Sequence, residues 1–248
     1  MNAFDFSILQ PPVTGTNHGF VRRAMDITVA CVAAAVLMPL MLLIAIALWL
    51  EGGWPVLFVQ PRLGAGGRLF RMYKFRKFAV RCESGGLALT LADDSRMTTI
   101  GRVLALAKLD ELPQLWNVLK GEMAIIGPRP ESLDFAECFR DGYEAVLQYK
   151  PGLLGPAQIF FRREALFYPR DVDPISFYKE VLFPAKARID LSYYSRRTIV
   201  SDIGLIVRGV FVVLELGLPR LTDRAAFRMS SELIRKVRTQ IMRGLSGP

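Results

Sequence analysis

Histidine is almost missing from this sequence: one residue, His18, among 248. A Ser-His-Asp triad needs a histidine beside its nucleophile, and a histidine-rich metal site needs several, so neither suits a lone histidine near the N-terminus. Cysteine is scarce too. Cys31, Cys82 and Cys138 lie far apart with no Cys-x-x-Cys pair. That spacing argues against a zinc site or a disulfide framework and makes a reducing compartment the default. The glycines match neither a Walker nor a dinucleotide fingerprint. No internal repeat and no aromatic-basic RNA motif is visible. Chemistry in this chain falls to carboxylates, hydroxyls, lysine and arginine.

Negative charge is the scarcer sign, 23 acidic residues against 32 basic, which leaves a net +9. Such a balance suits phosphate groups, on nucleotides, nucleic acid or lipid headgroups. The length fits one domain, or one domain plus an appendage. The apolar excess is concentrated in Ile27 to Leu50, 24 residues without a charge between Asp26 and Glu51. As a straight helix this segment would run roughly 36 Å, against a hydrocarbon core of about 30 Å. A signal peptide has an apolar region of only about 7–15 residues and fits poorly. The plain reading is one transmembrane helix. Two features favour another geometry. Pro39 sits in the middle, where it removes a backbone hydrogen bond and bends a helix. Basic residues flank both ends: Arg22 and Arg23 before, Arg62, Arg68, Arg71, Lys74, Arg76 and Lys77 after. Positive flanks stay on the cytoplasmic side. A re-entrant helix that enters, bends at Pro39 and returns to the same face satisfies both, and is the expected arrangement for 27–50.

Residues 1–19 lack periodicity and read as a loose tail. Val56 to Gln60 and Leu69 to Phe75 are strand-like, with Gly64-Ala65-Gly66-Gly67 between them. This pattern predicts a hairpin with a glycine-rich turn, the alternative being a phosphate cradle. Leu109, Leu112, Leu115, Trp116 and Leu119 recur at helical spacing, and Gly121 can end that helix. Pro128 and Pro130 enforce an extended segment, and Pro151-Gly152 marks a turn. Ile203 to Leu214 is too short to span and reads as a core or interfacial helix. From Arg220 onward seven basic residues face two acids, and Leu233, Ile234, Val237 and Ile241 line one side. That basic amphipathic segment, 218–248, suits either an anionic lipid surface or packing on the domain.

Asp110-Glu111 lies at the start of the leucine-periodic helix. Asp is a good N-cap and acids are favoured in a first turn, so capping alone explains the pair. Pro113 is tolerated there. A functional reading stands beside it. An ionised carboxylate can attack phosphorus, and its neighbour can hold a magnesium ion bridging phosphates. Gly127-Pro128-Arg129-Pro130 offers an arginine in a stiff segment, suited to bidentate phosphate contact. Lys74-Phe75-Arg76 adds two cations at a strand end.

The ordered blocks resemble the bacterial sugar transferase family, the monotopic polyprenyl-phosphate phosphoglycosyl transferases. Arg23-Ala24-Met25-Asp26-Ile27 before the apolar segment resembles the family opening. Gln60-Pro61-Arg62-Leu63-Gly64, Tyr73-Lys74-Phe75-Arg76, Asp94-Ser95-Arg96-Met97-Thr98 and Gly101-Arg102 follow. The strongest block runs from Leu109-Asp110-Glu111-Leu112-Pro113 to Gly121 and on through Gly127-Pro128-Arg129-Pro130-Glu131. Pro151-Gly152, Gly155, Gln158, Asp190, Tyr193, Tyr194 and Asp202 come later. The likeness covers about residues 20 to 215, and a domain over 20–217 is expected.

The resemblance implies transfer of a sugar phosphate from a UDP-sugar donor to a polyprenyl phosphate acceptor. Asp110 would be the nucleophile, forming an aspartyl phosphosugar, and Glu111 a Mg2+ ligand. Lys74, Arg76, Arg102, Lys108, Arg129 and Gln158 would contact substrate. The lipid bilayer would be the third partner, at the cytoplasmic face of a bacterial inner membrane, with a homo-oligomer left open. The family arginine five residues before the aspartate is Ala105 here, and Lys108 is the candidate replacement. Lys77-Phe78 stands where the family has Thr-Met. The expected fold class is α+β, mostly helical, with a small β-hairpin and the N-terminal re-entrant helix. The rival classes are a catalytically silent scaffold of the same fold and a membrane-anchored nucleic-acid-binding protein; the resemblance implies no nucleic-acid partner.

Overall fold

The computed structural model describes residues 18–80, 94–162, 164–168 and 172–214. The tail 1–17, the segment 218–248 and Cys82 lie outside these. Within them the chain is mostly helical with one antiparallel hairpin, as expected for an α+β domain. Helix α1 runs from His18 to Gly52 with Pro39 inside it, so it begins within the stretch read as tail. One face of α1 is buried along both halves. Ala30 packs with Leu115, Val118, Met123 and Ile125. Ile44 and Leu48 pack with Val56, Phe75 and Leu104. The opposite face leaves Val32, Val36, Leu42, Leu43, Ile46 and Trp49 exposed. A helix apolar on all sides but packed on only one belongs at a protein–lipid boundary. By length and composition it is also the one helix among the described residues able to cross a membrane.

Charged side chains fix both ends of α1 to the same body. Near its start, Arg23 donates to the carbonyls of Val118 and Leu119 at 2.6 and 2.8 Å. Asp26 accepts from the Ile125 N–H at 2.8 Å, and Arg22 pairs with Asp202 at 3.2 Å. At its end, Arg76 donates to the carbonyls of Leu48, Gly52, Gly53 and Pro55 at 2.8 to 3.4 Å. Helix C-termini leave carbonyls without intrahelical partners, and one planar guanidinium serves this end.

Strands β1 (Leu57–Leu63) and β2 (Leu69–Phe75) form the predicted hairpin, with Leu57 opposite Phe75 and Leu63 opposite Leu69. The glycine-rich link is its turn, Gly66 and Gly67 taking positive φ. Helix α2 spans Thr99–Ala107 and α3 spans Gln114–Lys120, ended by Gly121 at φ 84°. Asn117, fully buried, binds α3 to the hairpin. Its side chain accepts from the Tyr73 N–H at 3.1 Å and donates to the Arg71 carbonyl and to Glu122, both at 2.7 Å.

A second, parallel pair joins β3 (Ala124–Ile126) to β4 (Gly152–Leu154). Pro151-Gly152, which reads as a turn in the sequence, leads into β4 instead, with Gly152 its first residue. A Cβ on Gly152 would sit 2.0 Å from the Gly127 nitrogen, so the two segments meet only because both residues lack side chains. Short helices α4 (Pro156–Phe160) and α5 (Pro174–Phe177) follow. The chain then runs through the π turn Tyr178–Leu182 into α6 (Phe183–Tyr194). These elements enclose the largest apolar cluster, around Phe135, Phe139, Phe177, Tyr178 and Phe183. Helix α7, Ile199–Leu214, packs Leu205 and Ile206 inward and exposes Val200, Ile203, Val207 and Phe211.

Candidate active site

Three segments meet at one place: the end of β2, the single 3-10 turn Leu109–Glu111 between α2 and α3, and the loop after β3. Thr98 caps α2 by accepting from the Gly101 N–H at 3.0 Å. Lys108 stops α2 in the left-handed region, at φ 59°, a conformation that costs an L-residue roughly 1–2 kcal/mol. The reversal carries Asp110 into the interior, where it is 4 % exposed.

Asp110 does not cap the following helix. Helix α3 starts at Gln114, its cap position is Pro113, and no side chain caps it. The Asp110 Oδ1 is buried without a hydrogen-bond partner. Buried polar atoms are normally paired, and an orphan needs an explanation in function or in a group yet to arrive. Glu111 contrasts with it. Its Oε1 accepts from Lys74 Nζ at 3.0 Å and from the Arg129 guanidinium at 3.3 Å.

The electrostatics separate the two carboxyls. Burial first, then the Glu111 charge, raise Asp110 above the ordinary aspartate range; Lys74, Lys77 and Lys108 oppose this in that order. Burial also works against the Glu111 charge, but Lys74, Arg129 and Lys108 outweigh it and hold Glu111 well below the glutamate range. Neighbouring carboxyls driven apart in this way have different chemical roles open to them. Burial lowers Lys74, with Glu111 pulling the other way. Burial likewise brings Lys77 down to about 8, partly offset by Asp110.

Arg129 joins this pair to a buried polar network. Lys186 Nζ lies 2.9 Å from Glu164, 3.1 Å from the Tyr178 hydroxyl and 3.9 Å from Glu131. Tyr168 donates to the other Glu164 oxygen at 2.9 Å. Glu111 first, then Glu131 and Glu164, raise the Arg129 guanidinium. Glu131 closes the Gly127–Glu131 block without a role that the block implies, and nothing in the sequence marks Glu164 or Lys186.

The other expected site residues divide. Arg76 is not a free phosphate contact: it is 6 % exposed and bound to four carbonyls at the end of α1. Arg102 is exposed on α2 and makes no ion pair among the described residues. Lys108 is half-buried, and its charge acts on both carboxyls after stronger neighbours. Gln158 is fastened to β4, its amide donating to the Gly152 carbonyl at 3.2 Å, while its Oε1 is buried without a partner. Lys74, Arg129, Asp110 and Glu111 do come together.

Among the described residues no group of three or more His, Cys, Asp or Glu side chains could hold a metal. Magnesium needs fewer: it keeps several waters and takes one or two carboxylates plus substrate phosphates. The pair offers two carboxylates, one with an unpartnered oxygen, and so fits such an ion.

A family model described as bacterial sugar transferase matches residues 17–216. An Aeromonas hydrophila UDP-N-acetylgalactosamine-undecaprenyl-phosphate N-acetylgalactosaminephosphotransferase is 41 % identical over 157 residues, 62 % of this chain and 36 % of that protein. A Caulobacter vibrioides UDP-glucose:undecaprenyl-phosphate glucose-1-phosphate transferase is 40 % identical over 141 residues, 56 % of this chain and 53 % of its own. The exopolysaccharide production protein PSS of Rhizobium leguminosarum bv. phaseoli is 35 % identical over 208 residues, covering 79 % of this chain and 96 % of that protein. The chain spans about half or less of the first two relatives and nearly all of the third.

Proposed function

Because the chain belongs to the bacterial sugar transferase family, we propose that it moves a sugar 1-phosphate from a UDP-sugar to polyprenyl phosphate, the step that starts a surface or secreted glycan. The observation that carries this reading is the unpartnered, buried Asp110 oxygen beside a Glu111 already neutralised by Lys74 and Arg129. When ionised, a carboxylate oxygen that no hydrogen bond occupies is left able to attack phosphorus. Its oxygen forms a bond to the sugar-linked phosphorus. The phosphoanhydride bond to UMP breaks, and UMP leaves with the electron pair. An oxygen of polyprenyl phosphate then attacks the same phosphorus, and the Asp110 carboxylate departs. Lys74 and Arg129 hold the diphosphate and orient Glu111. Glu111 would hold magnesium, which would neutralise charge on the diphosphate. Purified protein is expected to release UMP from at least one UDP-sugar of a panel, to require a divalent cation, and to stop on chelation. A panel with no UMP release would leave the silent-scaffold reading standing.

The re-entrant placement of α1 in the inner membrane, domain at the cytoplasmic face, is part of the same proposal. A crossing helix holds its domain at one end only. Here Arg22, Arg23 and Asp26 engage the domain near one end, and Ile44, Leu48 and the carbonyls bound by Arg76 engage it near the other. With the native cysteines replaced, Asn17→Cys and Ser84→Cys are both expected to react with a thiol reagent from the cytoplasmic side only. Labelling of one site solely from the periplasm would contradict the placement.

A further inference from the structure

Lysine is almost never fully buried unless it is paired, and Lys186, in the first turn of α6, is 5 % exposed. Its ammonium donates to Glu164 at 2.9 Å and to the Tyr178 hydroxyl at 3.1 Å, and it pairs with Glu131 at 3.9 Å. The Tyr178 hydroxyl in turn bonds the Glu131 carboxylate. Tyr178 and Glu131 are buried as well. Buried ion pairs of this kind contribute little net stability. What this one fixes is the position of Glu131.

Glu131 ends the segment that carries Arg129. Before Arg129, the Gly127 N–H donates to the Leu154 carbonyl at 3.0 Å, and the Pro128 carbonyl accepts from the Gly152 N–H at 2.9 Å. Beyond it, the Pro130 carbonyl accepts from Arg62 at 3.5 Å and the Glu131 carbonyl from the Leu63 N–H at 3.2 Å. Pro128 and Pro130 lock their own φ, and Pro130 also restricts Arg129 before it. A segment this stiff moves as one piece, so a shift at Glu131 is carried across Pro130 to Arg129. The Arg129 guanidinium meets Glu111 at 3.3 Å, just beyond the usual range of such a bond, so a small displacement breaks the contact. Glu131 and Glu164 also favour the Arg129 charge, after Glu111.

We propose that Lys186 is a positioning residue of the active site: by anchoring the Glu131 carboxylate it sets the direction from which Arg129 meets Glu111 and the diphosphate of the donor. The inference rests on the sugar-phosphate transfer reading, in which Arg129 holds that diphosphate. Lys186 touches no substrate and moves no proton. Glu164, held from its other oxygen by Tyr168, keeps the ammonium in place. Without the ammonium, Glu131 and Glu164 remain as buried carboxylates with Arg129 close along the chain. The guanidinium is then drawn toward them and away from Glu111.

The test uses the full chain in lipid nanodiscs, with UMP release from UDP-glucose and from UDP-N-acetylgalactosamine as the assay. Lys186→Met is expected to lower kcat/KM by roughly a hundred-fold, with the donor KM raised about tenfold, because a misplaced arginine loses its grip on the diphosphate. A role confined to folding reduces the active fraction, which lowers kcat and leaves KM alone. Glu131→Gln, nearly unchanged in size and without the buried charge, is expected to act in the same direction and carries the test if the methionine variant does not fold. In an Arg129→Met background each change is expected to cost less than about threefold, since the residue it acts through is gone. A donor KM within about threefold of wild type in the variants that fold overturns the inference and leaves the transfer reading intact. So does an equal loss with and without Arg129. Absence of UMP release by the wild type from every donor overturns both.

Discussion

Asp110→Asn is expected to abolish UMP release and to prevent any phosphosugar from accumulating on the protein, while leaving the fold intact. An amide cannot form the acyl phosphate, so the loss should reach the assay floor rather than a partial rate. Stability should hold for a structural reason. Asp110 caps no helix, and its Oδ1 binds nothing, so the substitution removes no hydrogen bond at that atom. It also removes a buried charge that its surroundings disfavour, since burial and Glu111 raise the Asp110 carboxyl. The measurements are UMP release with a UDP-sugar, intact-protein mass before lipid acceptor is added, and the thermal unfolding midpoint. Near-normal turnover in Asp110→Asn would remove the covalent mechanism. A collapsed midpoint would mean that the carboxylate has a structural partner.

Arg76→Met is expected to act in the opposite sense, on folding and membrane seating. The change leaves the carbonyls of Leu48, Gly52, Gly53 and Pro55 without the guanidinium that now serves them. Hydrogen bonds to a charged group contribute roughly 1.5–3 kcal/mol each, and unmade bonds at buried groups carry a further penalty. Gly52 and Pro55 are exposed, so water can replace part of these bonds, and a net loss on the order of 3–5 kcal/mol is expected. Arg76→Lys should recover only part, because an ammonium lacks the planar fork that reaches several carbonyls. The readout is unfolding and protease resistance in detergent without donor, followed by UDP binding of the folded fraction. Unchanged stability with lost UDP affinity would return Arg76 to the phosphate site, where the sequence pattern had placed it.

Lys74 and Arg76 show where sequence reading stops. Both sit at the end of one strand, two residues apart and so on the same face, and both looked like phosphate ligands. Packing sends them to different partners: Lys74 meets the Leu109–Glu111 turn, and Arg76 meets the end of α1. The same limit applies to Asp110. Its place before a periodic helix made capping the simplest explanation, and only the left-handed Lys108 and the later start of α3 at Gln114 reveal that it is turned inward instead. The parallel β3–β4 pair was hidden as well, because Pro151-Gly152 reads as a turn until Gly127 lies against it.

By itself the sequence determined what neighbours along the chain can decide. The Leu57–Leu63 and Leu69–Phe75 hairpin follows from strand residues around a glycine-rich turn, and the stop of α3 at Gly121 from a left-handed position. The apolar helix, the basic balance and the ordered blocks of the family were legible for the same reason. Tertiary structure alone decided which charges meet. Arg129 reaches Glu111, Lys186 joins Glu164 near Glu131, and Arg22 reaches Asp202. Strand and helix periodicities act over a few residues, whereas the strength of a buried charge depends on partners that folding brings from anywhere in the chain.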